Sequence, residues 1–389
     1  MYVPLPLTDE ELSAWLRLSI APGLRPAALR ALLGAFGLPQ QLLAQSFAAL
    51  AAAAGTEAAR AVLAPVAPAF AEQLAGLREW CAQPGHALLT LGDPAYPPRL
   101  LTMVDPPPLL YIRGRPALLH ARGVAIVGSR SATPQGVEDA ERFARVLSDA
   151  GIAVVSGLAL GVDGAAHLGA LGGDGGTVAV IGTGADRIYP ASHHALAARI
   201  AAEGAIVSEW PLGTPARSSN FPQRNRLIAG LVEGVVVVEA AMRSGSLITA
   251  RLANDMGRDV FALPGSIHAP LSRGCHRLIK QGARLVETPE EVLEEFGIVA
   301  PEPRRRDGQR PERRTPDNTD STPNNVPPAI DGDASLLLDA LGYSPASLEI
   351  LAARTDMAEA QLQATLLRLE LAGHVRALPG GRFVRAAHR

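Results

Sequence analysis

Residues 124–130 of this 389-residue chain have the sequence VAIVGSR, an apolar, β-branched run that ends in a Gly-Ser-Arg turn. Similar runs follow at intervals of about 25 to 30 residues, at 152–155, 177–181, 205–207, 235–238 and 259–261. Helical patterns lie between them. Strands that are apolar on both faces and alternate with helices are typical of a parallel sheet with right-handed crossovers. The sequence therefore predicts an α/β core with a doubly wound, mainly parallel sheet.

The residues before this core predict edge strands and helices. Residues 85–115 hold two apolar runs around a proline-rich loop, and we expect them to add edge strands to the sheet. Residues 8–80 have apolar side chains at helical spacing, including a helix over Pro26–Phe36 that Gly37 ends. Two such helices joined by a Gly-containing turn form a helix-hairpin-helix, which can hold a DNA phosphate on its backbone N–H groups. The other interpretation is an alanine-rich helical packing domain.

The chain beyond residue 298 predicts a linker and a small domain. Residues 301–330 carry seven prolines and six arginines, and they cannot bury a core. Three helical segments and a hairpin follow, which is the pattern of a winged helix. Residues 331–389 hold six arginines and seven acids, and this balance favours a protein-contact or accessory role over sequence-specific DNA reading. We expect a helical domain over 1–82, the core over 83–298, a disordered linker over 299–332 and a winged helix over 333–389.

The composition excludes several classes of protein. Hydrophobic residues make up 48% of the chain, and the net charge of −2 gives no global signal for nucleic acid or an anionic membrane. The two cysteines, Cys81 and Cys275, form no CxxC pair, so neither a disulfide scaffold nor a zinc module is indicated. No signal peptide or membrane-spanning run is evident. We therefore expect a cytoplasmic protein that does not associate with membranes.

Small and polar residues follow nearly every strand of the predicted sheet. The carboxyl ends of parallel strands meet at one edge, where ligands bind in sheets of this kind. Glycines let the backbone approach a ligand, and free N–H groups at helix starts attract anions. The pattern predicts a phosphate-binding edge. Its turns are Gly128-Ser129-Arg130, Ser156-Gly157, Gly182-Thr183-Gly184, Glu239 with Ser244-Gly245-Ser246, and Pro264-Gly265.

Positive charge is concentrated in one part of the core. Residues 213–286 hold ten Lys and Arg against four acids, a balance of +6 in a chain of net −2. Within it, residues 217–226, RSSNFPQRNR, contain no acid. Arginines contact phosphates and Phe221 offers a face for stacking a base, so this run suits single-stranded nucleic acid. The alternative is a solvated basic loop with Phe221 turned into the core, but the other turns on the same edge favour binding.

The sequence does not indicate a catalytic or metal centre. The only lysine, Lys280, does not follow a glycine, so there is no Walker A loop, and neither GxGxxG nor a GxSxG nucleophile turn occurs. Asp163 and His167 lie four residues apart at a helix start, and we interpret them as capping and packing residues. His193-His194 fits a surface position. We predict no catalytic residue, no metal and no cofactor.

Several motifs together resemble the DNA-processing protein A (DprA/Smf) family. The resemblance spans about residues 85–290 in order and spacing. The N-terminal helices are similar to the sterile-alpha-motif (SAM)-like extension of some members, and the C-terminal part is similar to their winged helix. His276 stands where the family tends to have an asparagine, so the resemblance implies no contact for that side chain. The motifs are VGSR at 127–130, SGLALGVD at 156–163, Tyr189-Pro190, FPQRNRLIAGL at 221–231, SGSLITA at 244–250 and Pro264-Gly265.

The resemblance implies a Rossmann-like core that binds single-stranded DNA. It also implies a homodimer that hands incoming strands to the recombinase RecA during natural transformation. By motif, the Gly128 and Ser244 turns would hold phosphates, and Arg224, Asn225 and Arg226 would line the strand path beside Phe221. The residues expected to bind DNA are Gly128, Ser129, Arg130, Ser156, Gly157, Phe221, Arg224, Asn225, Arg226, Glu239, Ser244, Gly245, Ser246, Thr249 and Gly265.

The alternative function is that of a nucleotide phosphoribohydrolase of the LOG type. Those enzymes carry a PGGxGTxxE run whose glutamate acts on the glycosidic bond. Residues 243–252 here are RSGSLITARL, and the next acid is Asp255, so such an enzyme would have no evident general base. A transcriptional regulator acting through the winged helix is a third hypothesis, and the near-neutral charge of that domain argues against it.

Overall fold

The computed structural model describes residues 4–298, 332–341, 345–355 and 357–386. These residues divide into two compact units. The larger holds the described residues up to Pro264 and from Arg273 to residue 298, and the smaller holds Gly265–Ser272 with the described residues from 332 onward. The linker predicted over 299–332 lies, except for residue 332, outside the described residues.

A nine-stranded sheet forms the centre of the larger unit, in the order β1-β2-β6-β5-β4-β3-β7-β8-β9. In this spatial order, every pair of neighbouring strands from β6 through β3 to β9 is parallel. Strands β1 and β2 add an antiparallel edge next to β6. This confirms the mainly parallel sheet and the predicted edge strands. The strands are β1 (His86–Thr90), β2 (Leu109–Gly114), β3 (Gly123–Val127), β4 (Ala153–Ser156), β5 (Thr177–Val180), β6 (Ala205–Ser208), β7 (Gly234–Val237), β8 (Asp259–Ala262) and β9 (Arg284–Leu285).

The central strands are buried on both faces, as their apolar runs predict. Every residue of β3 to β7 is buried. In β3, Ala125 and Val127 pack into the core on one face of the sheet, while Val124 and Ile126 pack into the core on the other. Because side chains alternate across a strand, helices on both faces are needed to cover them.

Fourteen helices of the larger unit surround this sheet within the described residues. Proline at the first position begins α2, and Gly37, with φ of 81°, ends it, so the predicted helix over Pro26–Phe36 is confirmed. The helices are α1 (Asp9–Ser19), α2 (Pro26–Phe36), α3 (Pro39–Leu43), α4 (Phe47–Ala54), α5 (Thr56–Leu63), α6 (Phe70–Cys81), α7 (Pro98–Leu101), α8 (Pro134–Asp149), α9 (Val162–Ala170), α10 (His194–Glu203), α11 (Asn220–Leu231), α12 (Ser246–Asp255), α13 (Arg273–Lys280) and α14 (Pro289–Glu295).

The N-terminal helices pack directly against the edge of the sheet. Trp15 of α1 and Trp80 of α6 share one apolar cluster with Leu109 and Tyr111 of β2. Helices α1 to α6 thus belong to the same compact unit as the sheet. Their predicted boundary as a separate SAM-like domain at residue 82 stays a prediction. No helix among the described residues is long and apolar enough to cross a membrane.

The smaller unit contains the predicted winged helix. Its three strands pair antiparallel in the order β10-β12-β11 and cover an apolar core that includes Leu337, Leu351, Leu362 and Leu366. The two-residue strand β10 was not predicted, because so short a segment has no recognisable period. The elements are α15 (Gly332–Leu341), β10 (Ala346–Ser347), α16 (Leu348–Thr355), α17 (Glu359–Leu371), β11 (Val375–Leu378) and β12 (Arg382–Arg385).

Candidate nucleic-acid interface

A groove of about 790 Å³ opens at the carboxyl edge of the sheet. Its walls come from the turn after β3, the start of α9, the first turns of α11 and the start of α12. This is the edge on which the sequence places the Gly-rich turns. Ten of the residues expected to bind DNA line it: Gly128, Ser129, Arg130, Phe221, Arg224, Asn225, Ser244, Gly245, Ser246 and Thr249.

An aromatic and cationic cluster forms one wall of the groove. The guanidinium of exposed Arg130 lies over the half-buried ring of Phe221, with Cζ 5.5 Å from the ring centroid. The ring of Tyr189, which is 50% exposed, lies 5.6 Å from Phe221 between centroids and is tilted by 40°. A Cβ on Gly182 would come within 3.1 Å of the Phe221 ring, so glycine lets the ring pack close to the backbone there.

The start of α12 forms a second wall. The hydroxyls of Ser244 and Ser246 lie 2.6 Å apart, and the Asn225 amide donates to the Gly245 carbonyl at 3.4 Å, which joins α11 to this turn. The amino end of a helix carries partial positive charge and N–H groups that bind anions. Exposed Arg243 precedes the turn and also lines the groove. This wall is therefore suited to a phosphate.

The floor of the groove contains a buried cation and a buried carboxylate. Arg224 is 3% exposed and Asp163 is 7% exposed. Burial lowers the pKa of Arg224 to about 10, against the attraction of Asp163, and burial raises the pKa of Asp163. Asp163 accepts hydrogen bonds from the N–H groups of Gly157 at 3.1 Å and Ala159 at 3.4 Å. Within the described chain, Nε and Nη1 of Arg224 have no hydrogen-bond partner.

His167 lies beneath this floor and both of its ring nitrogens are hydrogen-bonded. The Leu158 N–H donates to Nε2 at 3.2 Å, and Nδ1 lies 2.7 Å from the hydroxyl of Thr177. Since that hydroxyl donates to the Val154 carbonyl at 2.8 Å, Nδ1 is the protonated nitrogen. Burial lowers the pKa of His167 to about 3, so the ring is neutral. The structure thus agrees with a packing role, and no cluster of potential metal ligands occurs in the described residues.

Two of the expected DNA-binding positions serve the fold instead of lining the groove. Ser156 is fully buried and donates to the Ile126 carbonyl at 2.7 Å. The Glu239 carboxylate accepts from the backbone N–H and the hydroxyl of Thr133, at 2.9 Å and 2.6 Å. Thr133 caps α8, so Glu239 occupies the anion position at the start of that helix. Gly157 lies behind Arg224, where a Cβ would meet the guanidinium.

Arg226 and Gly265 are also outside the groove. Arg226 lies on another face of α11, where its guanidinium contacts the carboxylates of Glu209 and Asp105 and donates to the Asp105 carbonyl at 2.8 Å. Its side chain is 13% exposed. Gly265 belongs to the Gly265–Ser272 segment of the smaller unit, where a Cβ would come within 2.2 Å of the Ser272 hydroxyl.

Tyr189 and Arg243 line the groove but were not named as DNA-binding residues. Tyr189 precedes a cis proline in the loop after β5, and nothing in its neighbours indicates which surface its ring reaches. Arg243 directly precedes the Ser244-Gly245-Ser246 turn. A positive charge directly before a helix start is visible in the sequence and could have indicated a phosphate-binding residue.

Comparisons with known proteins agree with this description. The family model of DNA recombination-mediator protein A matches residues 87–297, and that of the DprA winged helix domain matches residues 321–381. Protein Smf of Escherichia coli is 42% identical over 315 residues, which cover 79% of this chain and 80% of that protein. DNA processing protein DprA of Streptococcus pneumoniae is 48% identical over 204 residues, covering 52% of this chain and 72% of that protein.

Two solved structures share the fold. The structure of DNA processing protein A from Streptococcus pneumoniae superposes with a TM-score of 0.61 at 38% identity, covering 75% of this chain and 99% of that chain. A structure that concerns the single-stranded DNA binding mode of DNA processing protein A from Helicobacter pylori gives a TM-score of 0.50 at 31% identity. It covers 54% of this chain and 95% of that chain.

Proposed function

Because this chain belongs to the DNA recombination-mediator protein A (DprA/Smf) family, we propose that it binds single-stranded DNA in the groove at the carboxyl edge of its sheet. One observation carries the proposal: a single groove combines two exposed arginines, Arg130 and Arg243, with the ring of Phe221 and the start of α12. Cations that track the backbone and a ring that stacks bases are the two components of sequence-tolerant single-strand binding.

The balance of charge in the groove supports this proposal. Among the described residues that line it, three are arginines and one, Asp163, is an acid. Asp163 is buried beside Arg224 and accepts backbone hydrogen bonds, so little negative charge faces a strand in the groove. The relative from Helicobacter pylori, whose single-stranded DNA binding mode has been described structurally, supports the same assignment.

We propose a binding role without catalysis. A phosphoribohydrolase needs an accessible carboxylate near the bound sugar. In the described groove the one acid is Asp163, whose Oδ2 accepts two backbone N–H groups. Glu239, the nearest acid before α12 in the chain, is held by Thr133. Neither carboxylate is placed to act as a general base.

Membership of the family supports a finer role. We propose that the protein is a cytoplasmic homodimer that processes incoming DNA in natural transformation, protects the single strand and loads RecA on it. Assembly of RecA on a single strand coated with single-strand-binding protein tests the loading step. Faster assembly in the presence of this protein is expected, and an unchanged rate would contradict loading while leaving strand binding intact.

A salt titration tests strand binding directly. Affinity for oligothymidine is measured by fluorescence anisotropy at several salt concentrations, beside a duplex of the same length. We expect tight, steeply salt-dependent binding to the single strand and much weaker binding to the duplex. Preference for the duplex, or no binding at low salt, would contradict the proposal and justify a screen for hydrolysis of nucleoside monophosphates.

A further inference from the structure

A second cavity lies on the face of α11 that points away from the groove. Its volume is about 590 Å³, within the range of small-molecule sites, and it is bounded by α1, α2, the loop before β2 and the residues after β6. Gln223 and Arg226 of α11 line this cavity, whereas Phe221, Arg224 and Asn225 line the groove. At 100° per residue these two sets occupy opposite sides of the helix.

Two residues that line this cavity each carry a buried polar atom with no hydrogen-bond partner among the described residues. Oε1 of Glu209 and Nε1 of Trp210 are both buried and make no hydrogen bond within the described chain. The Glu209 side chain is 9% exposed, and its other carboxylate oxygen accepts from Arg226. A buried acceptor and a buried donor left unpaired are costly, and each is normally explained by a ligand or water.

A cation also lines this cavity. Arg30 of α2 donates from Nη1 to the Pro106 carbonyl at 3.2 Å, and it makes no ion pair within the described residues. Partial burial lowers the pKa of Arg30, with Asp105 acting in the opposite sense, so the group is a partly desolvated cation. Such a group gains from an anionic ligand.

Most of the remaining lining residues are apolar, although Ser19, Arg25 and Asp105 also line the cavity. The apolar residues include Leu18, Leu24, Leu29, Pro107 and Leu109. A flat ring can pack against these side chains, while the polar atoms beside them fix its orientation. The cavity therefore combines mostly apolar walls with an unpaired acceptor, an unpaired donor and, in Arg30, a cation that makes no ion pair within the described residues.

We propose that this cavity binds a nucleoside monophosphate whose base carries an amino group, such as AMP or CMP. The amino group donates to Glu209 Oε1, as amino groups of bases do to carboxylates, and the adjacent ring nitrogen accepts from Trp210 Nε1. Arg30 holds the phosphate. Both wall atoms are covered in the free protein, so rotation of the two side chains accompanies binding. The site is distinct from the groove and does not depend on strand binding.

The test uses the full chain and tryptophan fluorescence. Titration with AMP, CMP, UMP and cytidine is expected to quench Trp210, with AMP and CMP binding more tightly than UMP or cytidine. Trp210→Phe keeps an aromatic ring but removes the unpartnered N–H, and it should weaken CMP binding about threefold to tenfold by calorimetry. Arg30→Gln should bring CMP close to the affinity of cytidine. Arg199→Gln, an exposed arginine on α10, is the matched control and should leave CMP binding unchanged.

Competition separates this site from the groove. Saturating oligothymidine should not displace CMP, and Trp210→Phe should bind oligothymidine like the parent protein. Displacement by oligothymidine would place the nucleotide in the groove and overturn the proposal. The absence of binding by AMP and CMP at millimolar concentration would also overturn it, since the unpaired atoms would then be satisfied by water alone. Neither result would contradict strand binding, which the salt titration measures independently.

Discussion

The guanidinium of Arg130 lies over the ring of Phe221, with Cζ 5.5 Å from the centroid. An exposed cation–π contact contributes about 0.5–1 kcal/mol, whereas a base stacked on an aromatic ring contributes about 1–3 kcal/mol. Stacking is the stronger interaction, so we expect an entering base to displace Arg130 from the ring. The freed guanidinium is then available to a phosphate. In the free protein, the same contact shields an apolar ring that faces solvent.

Replacing Arg130 should weaken strand binding through charge. Arg130→Gln removes one phosphate contact, so the slope of log affinity against log salt should become shallower by about 0.7 for a single strand. The measurement is the salt titration on oligothymidine. Arg199→Gln makes the same change of charge on α10, where the arginine pairs with Glu203, and should leave the slope as it is. Equal slopes for parent and Arg130→Gln would exclude Arg130 from the phosphate path.

Phe221 should be more important for affinity than for stability. Phe221→Leu keeps an apolar side chain against Gly182 but removes the stacking face, so binding of oligothymidine should lose about 1–3 kcal/mol. An oligomer of abasic sugar-phosphate should bind both proteins alike. Phe221 would instead be a core residue if Phe221→Leu lowered the melting temperature and weakened binding of oligothymidine no more than binding of the abasic strand.

The sheet was predictable because its strands are buried on both faces. Continuous apolar runs such as β7 are typical of strands buried in this way. Most predicted strands differ from the observed ones by one residue at an end. Helix α2 was predicted to the residue, since Pro26 and Gly37 are local signals. The strand β9 has two exposed residues, Arg284 and Leu285, and no pattern could indicate it.

The groove was predictable only in part, because the sequence did not indicate which side of α11 each side chain would occupy. The run of residues 217–226 has the right charge, but Arg224 turns into the floor while Arg226 turns to the other face of the helix. The partners that hold Arg226, Glu209 and Asp105, are 17 and 121 residues away in the chain. Such long-range pairing has no signature in the local sequence. Charge composition therefore identified a segment that contributes to the groove, but it could not assign each arginine.

Arg226 should thus contribute to stability more than to strand binding. Arg226→Gln leaves the buried carboxylate of Glu209 without its cation, and breaking such a pair costs about 3–5 kcal/mol. Chemical denaturation should show this loss, and the salt slope for oligothymidine at a temperature where the variant is folded should not change. Glu209→Gln with Arg226→Gln together should recover part of the stability. A shallower salt slope in the folded variant would return Arg226 to the strand path.

His167 should make the protein less stable in mild acid. Its pKa is lowered to about 3 in the folded state from an ordinary 6.5, so between these values the unfolded chain takes up a proton that the folded chain does not. The contribution of His167 to the free energy of unfolding should therefore fall by about 1.4 kcal/mol per pH unit as the pH drops below about 6. Urea denaturation at pH 7, 6, 5 and 4 measures the slope. His167→Gln should remove the contribution of one proton, about 1.4 kcal/mol per pH unit, from this slope. His194→Gln, at an exposed position, should leave the slope unchanged.

Gly157 should not tolerate even a methyl group. A Cβ there would lie 1.4 Å from Nη1 of Arg224, and this side chain is only 3% exposed. Gly157→Ala must therefore displace Arg224 from the floor, away from the charge of Asp163, so we expect a loss of about 1–3 kcal/mol in stability and weaker binding of oligothymidine. Gly76→Ala in α6 is the control, because nothing lies within 4 Å of its added Cβ and alanine favours a helix. If Gly157→Ala had the same melting temperature as Gly76→Ala and bound oligothymidine like the parent protein, Arg224 could not be fixed where the structure places it.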